Sequence, residues 1–484
     1  MKALGILGTS SSAGKSWIAT AVCAWLRGQG VRVAPFKAQN MSNNAWSTLE
    51  GGEMARSQAV QAEACGLLPS VDMNPILLKP TGASGSQLIL RGEAQSHQTA
   101  QEYYRDTEQL WRTVAGVLDG WRGRCDVLVL EGAGSPVELN LMDRDLVNLR
   151  PLRYLDGRWM LVGDIDRGGI YAQLVGTWNL LPVADRARSL GAIVNRFRGD
   201  LRLFPNPQEW LELYAPGLRV LGTVPWRADL RPDEEDGLGA GDEDRGSGDL
   251  IAWLRLPNVA NLTDCQPWWA DDGVRTRWVS SPAELATARA IVIPGSKNTI
   301  ADLRWLRRSG MAEAITAAAA SGVLVIGLCG GFQMLGERVT DPSGIAGDAG
   351  DEPGLGLLPA RTVFAATKIV RQVTAACDGR EWSAYEIHMG RTAFTSPVQS
   401  LHTVRDQAGT REEGAVRGNV LGTYLHGWFD APEVRRRVAA AAGLSRHRAP
   451  LVSWPEQRQA IYAAMAAHLA EHVNLEPVRR YLAL

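Results

Sequence analysis

A chain of 484 residues is longer than one hydrophobic core usually serves, so two principal domains are expected. A hydrophobic fraction of 45%, a charged fraction of 21% and a formal net charge of -1 fit a folded globular protein and argue against a disordered chain or a nucleic-acid partner. Cysteines 23, 65, 125, 265, 329 and 377 form no C-x-x-C pair, which gives no sign of a zinc knuckle or a disulfide framework and points to a reducing cytoplasm.

The first residues, Met1 to Gly8, carry one basic side chain and a short apolar run that leads straight into a Gly/Ser-rich loop. This is unlike a cleavable signal peptide and reads as a first strand. Aliphatic runs then recur at Ala3–Leu7, Val31–Pro35, Val127–Leu130, Trp159–Val162, Ala192–Val194 and Val220–Val224, with helical segments between them. That rhythm predicts βαβ units and a parallel sheet. Residues Arg231 to Leu250 are acidic, glycine-rich and poor in large apolar side chains, the composition of a linker. Beyond them the rhythm resumes at Ile251–Leu256, Ala290–Ile293 and Val323–Ile326, and a helical tail begins near Pro455. The chain is therefore divided as residues 1–230, a linker 231–249, a second α/β domain 250–440 and a helical segment 441–484. The apolar stretch from Ala312 to Gly331 is broken by Glu313 and Ser321-Gly322, so it parses as an Ala-rich helix and a buried strand, and no membrane span is predicted.

The first strand runs into Gly8-Thr9-Ser10-Ser11-Ser12-Ala13-Gly14-Lys15-Ser16 and then a helix. Small residues let backbone N–H groups of Gly8, Thr9, Ser12 and Gly14 wrap a polyphosphate. Lys15 can reach the outer phosphates, and Ser16 can ligate Mg²⁺. Five residues separate Gly8 from Gly14 where the standard pattern has four, so the loop is a variant. Glu131, at the end of the strand Val127–Leu130, is a candidate Mg²⁺ ligand, because carboxylates there point into the crevice of a parallel sheet. Asp164 and Asp166 occupy the same kind of position after Trp159–Val162, as candidates for metal or substrate. Asn195 sits where an amide reads a nucleotide base or simply makes a turn. The segment Phe36 to Asn44 holds one cation and four amides in nine residues, a density suited to a carboxylate-bearing ligand or to a solvated loop. Lys37 is its candidate contact to phosphate.

In the second domain, Val323 to Gly336 is a buried strand, a glycine-lined turn bearing Cys329, and a helix. This is a nucleophile elbow, in which small neighbours permit the strained turn and the helix N-terminus favours the thiolate. The N–H of Gly330 is a candidate oxyanion donor, and Gly295 and Ser296, ending an earlier strand, are candidates for the second. His426 follows the apolar pair Val420–Leu421 and is the candidate base. His388 competes with it, while the other histidines lack comparable surroundings.

With both motifs in place the sequence resembles the cobyric acid synthase family, glutamine-hydrolysing amidases of adenosylcobalamin biosynthesis, over nearly its whole length. Three stretches are similar to ones typical of that family: Phe36-Lys37-Ala38-Gln39-Asn40-Met41, Met73 to Pro80, and Tyr385 to Thr392. The resemblance implies a dethiobiotin-synthetase-like nucleotide-binding domain followed by a class I glutamine amidotransferase domain. It implies ATP and Mg²⁺ as cofactors, and glutamine and a corrinoid, adenosylcobyrinic acid a,c-diamide, as substrates, with the b, d, e and g carboxylates amidated. Cys329 matches the family nucleophile and His426 its catalytic histidine. Many class I amidotransferases place a glutamate two residues after that histidine, whereas here the residue is Trp428. The pair then works as a dyad, or a carboxylate such as Glu386 or Asp430 orients the imidazole. An enclosed route for ammonia is also expected. The rivals are an a,c-diamide synthase or a cell-wall lipid amidase of the same architecture, or a partition-type ATPase, which leaves Cys329 unexplained.

Overall fold

The computed structural model describes residues 1–42, 44–80, 85–105, 107–230, 232 and 244–484, without the side chains of 96–98 and 100. Asn43 of the amide-rich segment and most of the expected linker, residues 231 and 233–243, lie outside the described residues. The chain forms two compact units.

The first unit comprises Met1–Ser42, Glu53–Glu234 and Arg458–Leu484. Its six-stranded parallel sheet uses β1 (Lys2–Gly8), β2 (Val33–Phe36), β3 (Val127–Glu131), β4 (Arg158–Asp164), β5 (Ser189–Phe197) and β6 (Val220–Pro225), in the order β6-β5-β4-β1-β3-β2. Each expected aliphatic run became one of these strands. Near-continuous burial along β1, β3 and β4 explains why they read as unbroken apolar runs, since helices cover both faces of such a sheet. The order places the ends of β1 and β3 side by side, with Ile6 in register with Glu131.

The C-terminal tail is not a separate segment. Tyr462, Met465, Leu469, Val473, Val478 and Leu482 are buried in one apolar cluster with Leu4, Ile6, Ile18 and Leu221, so residues 458–484 complete the core of the first unit. Arg458 closes this packing by pairing with Glu63 at 2.9 Å. Buried side chains recurring at i, i+3 and i+7 in Tyr462, Met465 and Leu469 mark the helix face responsible.

The second unit comprises Asn43–Gly52 and Glu235–Gln457. Its seven-stranded sheet is built from β7 (Arg245–Gly246), β8 (Asp249–Leu254), β9 (Val274–Val279), β10 (Ala288–Ile293), β11 (Leu324–Leu328), β12 (Ala415–Arg417) and β13 (Val420–Thr423), in the order β7-β9-β8-β10-β11-β13-β12. Residues 245–249, expected as linker, are thus partly an edge strand, with Arg245 and Gly246 antiparallel to β9. Beside this sheet lies a long antiparallel hairpin of strands Ala360–Cys377 and Arg380–Phe394. The segment Asn43–Gly52 belongs to this second unit although it lies within the N-terminal half of the sequence.

Candidate active site

In the second unit, β11 is buried along its whole length and delivers the chain to Cys329, whose backbone stands at φ 50° and ψ -106°. A non-glycine residue at positive φ is strained, and here close packing holds it in place. The N–H of Cys329 donates to the Thr423 carbonyl at 2.8 Å. Gly331 can only be glycine, because a Cβ there would stand 1.9 Å from the Ile293 oxygen. Gly330 is crowded by the backbone nitrogen of Ser296, 2.7 Å from where a Cβ would be. Gly295 lies alongside His426, its Cβ position 3.5 Å from Cε1 of the ring. The fold therefore gathers Gly295, Ser296 and Gly330 around the cysteine. The Ser296 hydroxyl donates to Asp302 at 2.6 Å, so this hydroxyl is already engaged.

His426 lies three residues beyond the end of β13, and it exchanges backbone hydrogen bonds with Tyr385 at 2.9 and 3.1 Å. Its Nδ1 is 2.7 Å from Asp264 Oδ2, and the other oxygen of Asp264 accepts the Gly427 N–H at 3.0 Å. Nε2 is 2.9 Å from the Asn261 amide. His426 and Cys329 are both buried, at 1% and 8% exposure. Burial opposes a charged imidazole, yet the Asp264 carboxylate and the Cys329 side chain outweigh it and raise His426 to about 10. Asp264 thus favours the charged form of the His426 ring.

The carboxylate hydrogen-bonded to the His426 ring is thus Asp264, where Glu386 or Asp430 had been expected. Glu386 is engaged by Arg371 at 2.5 Å and Arg411 at 2.8 Å. Asp264 sits in the short helical stretch Leu262–Ala270, 162 positions before the histidine, where no spacing rule connects them. His388 is not on this constellation: it hydrogen-bonds the Gly390 carbonyl at 2.9 Å and stacks on Tyr424 with 3.8 Å between ring centroids. Burial pushes it down to about 4, which favours the neutral ring. Trp428, in the position of the missing glutamate, packs on Phe429 with its indole N–H directed at His402.

In the first unit, the loop after β1 turns through positive φ at Ser12 and Gly14. A Cβ on Gly14 would stand 1.9 Å from the Asn195 amide, and that amide donates to the Ala13 carbonyl at 3.1 Å. Asn195 therefore braces the loop in this structure. Thr9 donates to Gln173 at 2.9 Å. Lys15 passes beside Gly8, and its ammonium is held by the carbonyls of Ser10 and Gly134 at 2.8 and 3.0 Å. The Ser16 hydroxyl donates to Glu131 Oε1 at 2.8 Å, and Lys37 pairs with the same oxygen at 2.9 Å. Gln58 and Gln61 donate to Oε2. Burial pushes the Glu131 carboxyl up, but Lys37 and these hydrogen bonds more than offset it and hold it below the usual range. A carboxylate and a hydroxyl meeting at the end of a phosphate loop are the hard oxygen donors Mg²⁺ takes. Asp164, 1% exposed, is paired with Arg196 at 3.1 Å, and Asp166 with Arg198 at 3.0 Å, so both carboxylates are committed to arginines. Gln58 and Gln61 escaped sequence reasoning, although two glutamines three apart on a helix were a visible signal of a shared face.

Two family descriptions match the chain: a CobQ/CobB/MinD/ParA nucleotide binding domain over residues 4–239, and a CobB/CobQ-like glutamine amidotransferase domain over residues 250–434. Among curated proteins, it is 47% identical over 454 residues to a protein of Variovorax paradoxus, covering 90% of this chain and 93% of the relative. It is 46% identical over 443 residues to one of Roseiflexus castenholzii, covering 89% and 90%. It is 42% identical over 495 residues to one of Synechocystis sp., covering 100% and 99%. Each of these relatives is named cobyric acid synthase.

Proposed function

The chain belongs to the cobyric acid synthase family, and we propose that it amidates the b, d, e and g carboxylates of adenosylcobyrinic acid a,c-diamide, using ATP and glutamine-derived ammonia. It is a glutamine-hydrolysing, amide-forming ligase. The observation that carries the reading is the Cys329–His426–Asp264 constellation in a chain that also holds a complete phosphate loop. The relatives share one name, so an a,c-diamide synthase, a cell-wall amidase and a partition ATPase are not favoured.

In the glutaminase half-reaction the Cys329 thiolate attacks the amide carbon of glutamine, and the developing oxyanion is met by backbone N–H groups of Gly330 and the Gly295–Ser296 strand. His426 passes its proton to the departing ammonia, then removes one from the water that hydrolyses the thioester. Asp264 holds the imidazole in orientation and stabilises its charge. Glutamate and ammonia leave.

In the synthetase half-reaction a corrinoid carboxylate oxygen attacks the γ-phosphorus of ATP, and ADP departs. Ammonia then attacks the acyl carbon and phosphate leaves. Backbone N–H groups of the Gly8–Gly14 loop and Lys15 bind the phosphates, with Lys37 as a second cation beside them. Ser16 and Glu131 would hold Mg²⁺, which supplies charge neutralisation on the phosphoryl oxygens. Six free cysteines and the absence of any helix long and apolar enough to span a membrane among the described residues support a cytoplasmic setting.

The test is to offer adenosylcobyrinic acid a,c-diamide with ATP, Mg²⁺ and glutamine. The expected product is lighter at each new amide by the difference between a hydroxyl and an amino group. A C329A enzyme should still make it from ammonium but not from glutamine. An enzyme that amidates only cobyrinic acid at a and c overturns the proposal.

A further inference from the structure

We propose that Trp46, contributed by the N-terminal half of the sequence, is a positioning residue for the glutaminase base, acting through Tyr385. The inference rests on the reading of His426 as that base.

The segment Asn43–Gly52 is part of the second unit. There Ala45, Tyr385 and Ile387 form a small buried apolar cluster of their own, with Trp46 and Val370 packed against it. The Trp46 indole meets the Tyr385 ring with centroids 4.5 Å apart and planes at 51°. The Tyr385 ring in turn lies over the His426 imidazole, with centroids 5.3 Å apart and planes at 29°. The same cluster reaches the nucleophile, because the carbonyl of Ile387 accepts the Cys329 thiol at 3.4 Å. Strand Arg380–Phe394 therefore touches both reacting side chains, and Trp46 packs against Tyr385, the residue of this strand whose ring stacks on His426.

The segment is tied down at several points. Gln372 donates to the Ser47 carbonyl, and the Thr48 N–H donates to the Gly52 carbonyl at 2.8 Å. Gly51 makes the turn at φ 80°. Aromatic contacts of this kind have preferred offsets and tilts, so removing Trp46 takes away the wall that fixes the Tyr385 ring, and with it the plane on which His426 rests. Tyr385 and His426 are also joined backbone to backbone, so a shift of one carries the other. An ångström at a proton-transfer group is kinetically expensive, so the effect is expected in turnover.

The experiment compares the wild type, W46A and W46F as full-length proteins, in glutaminase turnover, in ammonium-supported synthesis, and in the rate of Cys329 alkylation by iodoacetamide read on its own peptide. W46A should lose roughly tenfold or more in glutaminase kcat with little change in the KM for glutamine, and Cys329 alkylation should slow in parallel. Ammonium-supported synthesis should be retained, and W46F should recover most of the loss. W46A with a wild-type kcat and alkylation rate overturns the inference, as does a change confined to KM or a W46F no better than W46A. H426A run alongside separates the two readings: an H426A enzyme with undiminished glutaminase activity removes the premise, whereas an inactive H426A beside an unimpaired W46A overturns the inference alone.

Discussion

Asp264 and His426 are joined by a 2.7 Å hydrogen bond between Oδ2 and Nδ1, buried at 6% and 1% exposure, across 162 residues of chain. The second carboxylate oxygen is spent on the Gly427 N–H, so the acid grips both the ring and the backbone that carries it. This double attachment sets the ring orientation.

Replacing that acid should be costly. Asp264→Asn is expected to lower glutaminase kcat by roughly 10²–10⁴, the scale on which losing the orienting acid of such a triad acts. Ammonium-supported synthesis should be spared. The charge of Asp264 helps raise His426 from an ordinary 6.5 to about 10, so its removal lets the imidazolium deprotonate earlier. The alkaline limb of the glutaminase pH profile should therefore move to lower pH in the variant. In the wild type the raised value contributes stability that is full below about 6.5 and is lost as pH rises through about 10. Denaturant titrations across that range should show a shallower decline in Asp264→Asn.

The phosphate loop offers a second test. Gly14→Ala forces a Cβ into a residue at φ 94° and to within 1.9 Å of the Asn195 amide. Strain of this kind costs about 1–3 kcal/mol. ATP affinity, measured calorimetrically, should collapse and synthesis should fail with either nitrogen donor, while glutaminase turnover persists.

Glu131→Gln removes the carboxylate shared by Ser16 and Lys37. Lys37 then loses this buried ion pair, and breaking one partner of comparable buried pairs costs about 3–5 kcal/mol. The variant is expected to unfold at lower denaturant and to lose synthesis from both glutamine and ammonium. Synthesis at a wild-type rate, with an unchanged Mg²⁺ requirement, would contradict the assignment of Glu131.

The tail can be probed at Met465, fully buried among Leu4, Ile6 and Leu221. Met465→Ala should destabilise the first unit by about 2–5 kcal/mol, the range for truncating a core side chain of this size. Equilibrium unfolding measures it. A change below about 1 kcal/mol would mean that the tail does not complete this core.

Legibility in the sequence followed the range of the interaction. Gly8 to Ser16 and Val323 to Gly336 were readable because a strand, a glycine-bearing turn and a helix start are consecutive in the chain. The helical tail was readable as helix, but its membership of the first unit was not, since an apolar face announces burial without naming the partner. Glu131 stood out at a strand end, whereas Gln58 and Gln61, which complete its hydrogen bonds, did not.

By itself the sequence determined two α/β units, a phosphate loop ending in Lys15 and Ser16, and a cysteine elbow, because each depends on backbone conformations that adjacent residues impose. Only the tertiary structure decided that Asp264 serves His426, that residues 458–484 return to the first core, and that the stretch around Trp46 belongs with Tyr385. A buried ring or carboxylate must find a partner, and which partner it finds depends on what the topology brings within about 3 Å, a distance that leaves no period in the sequence.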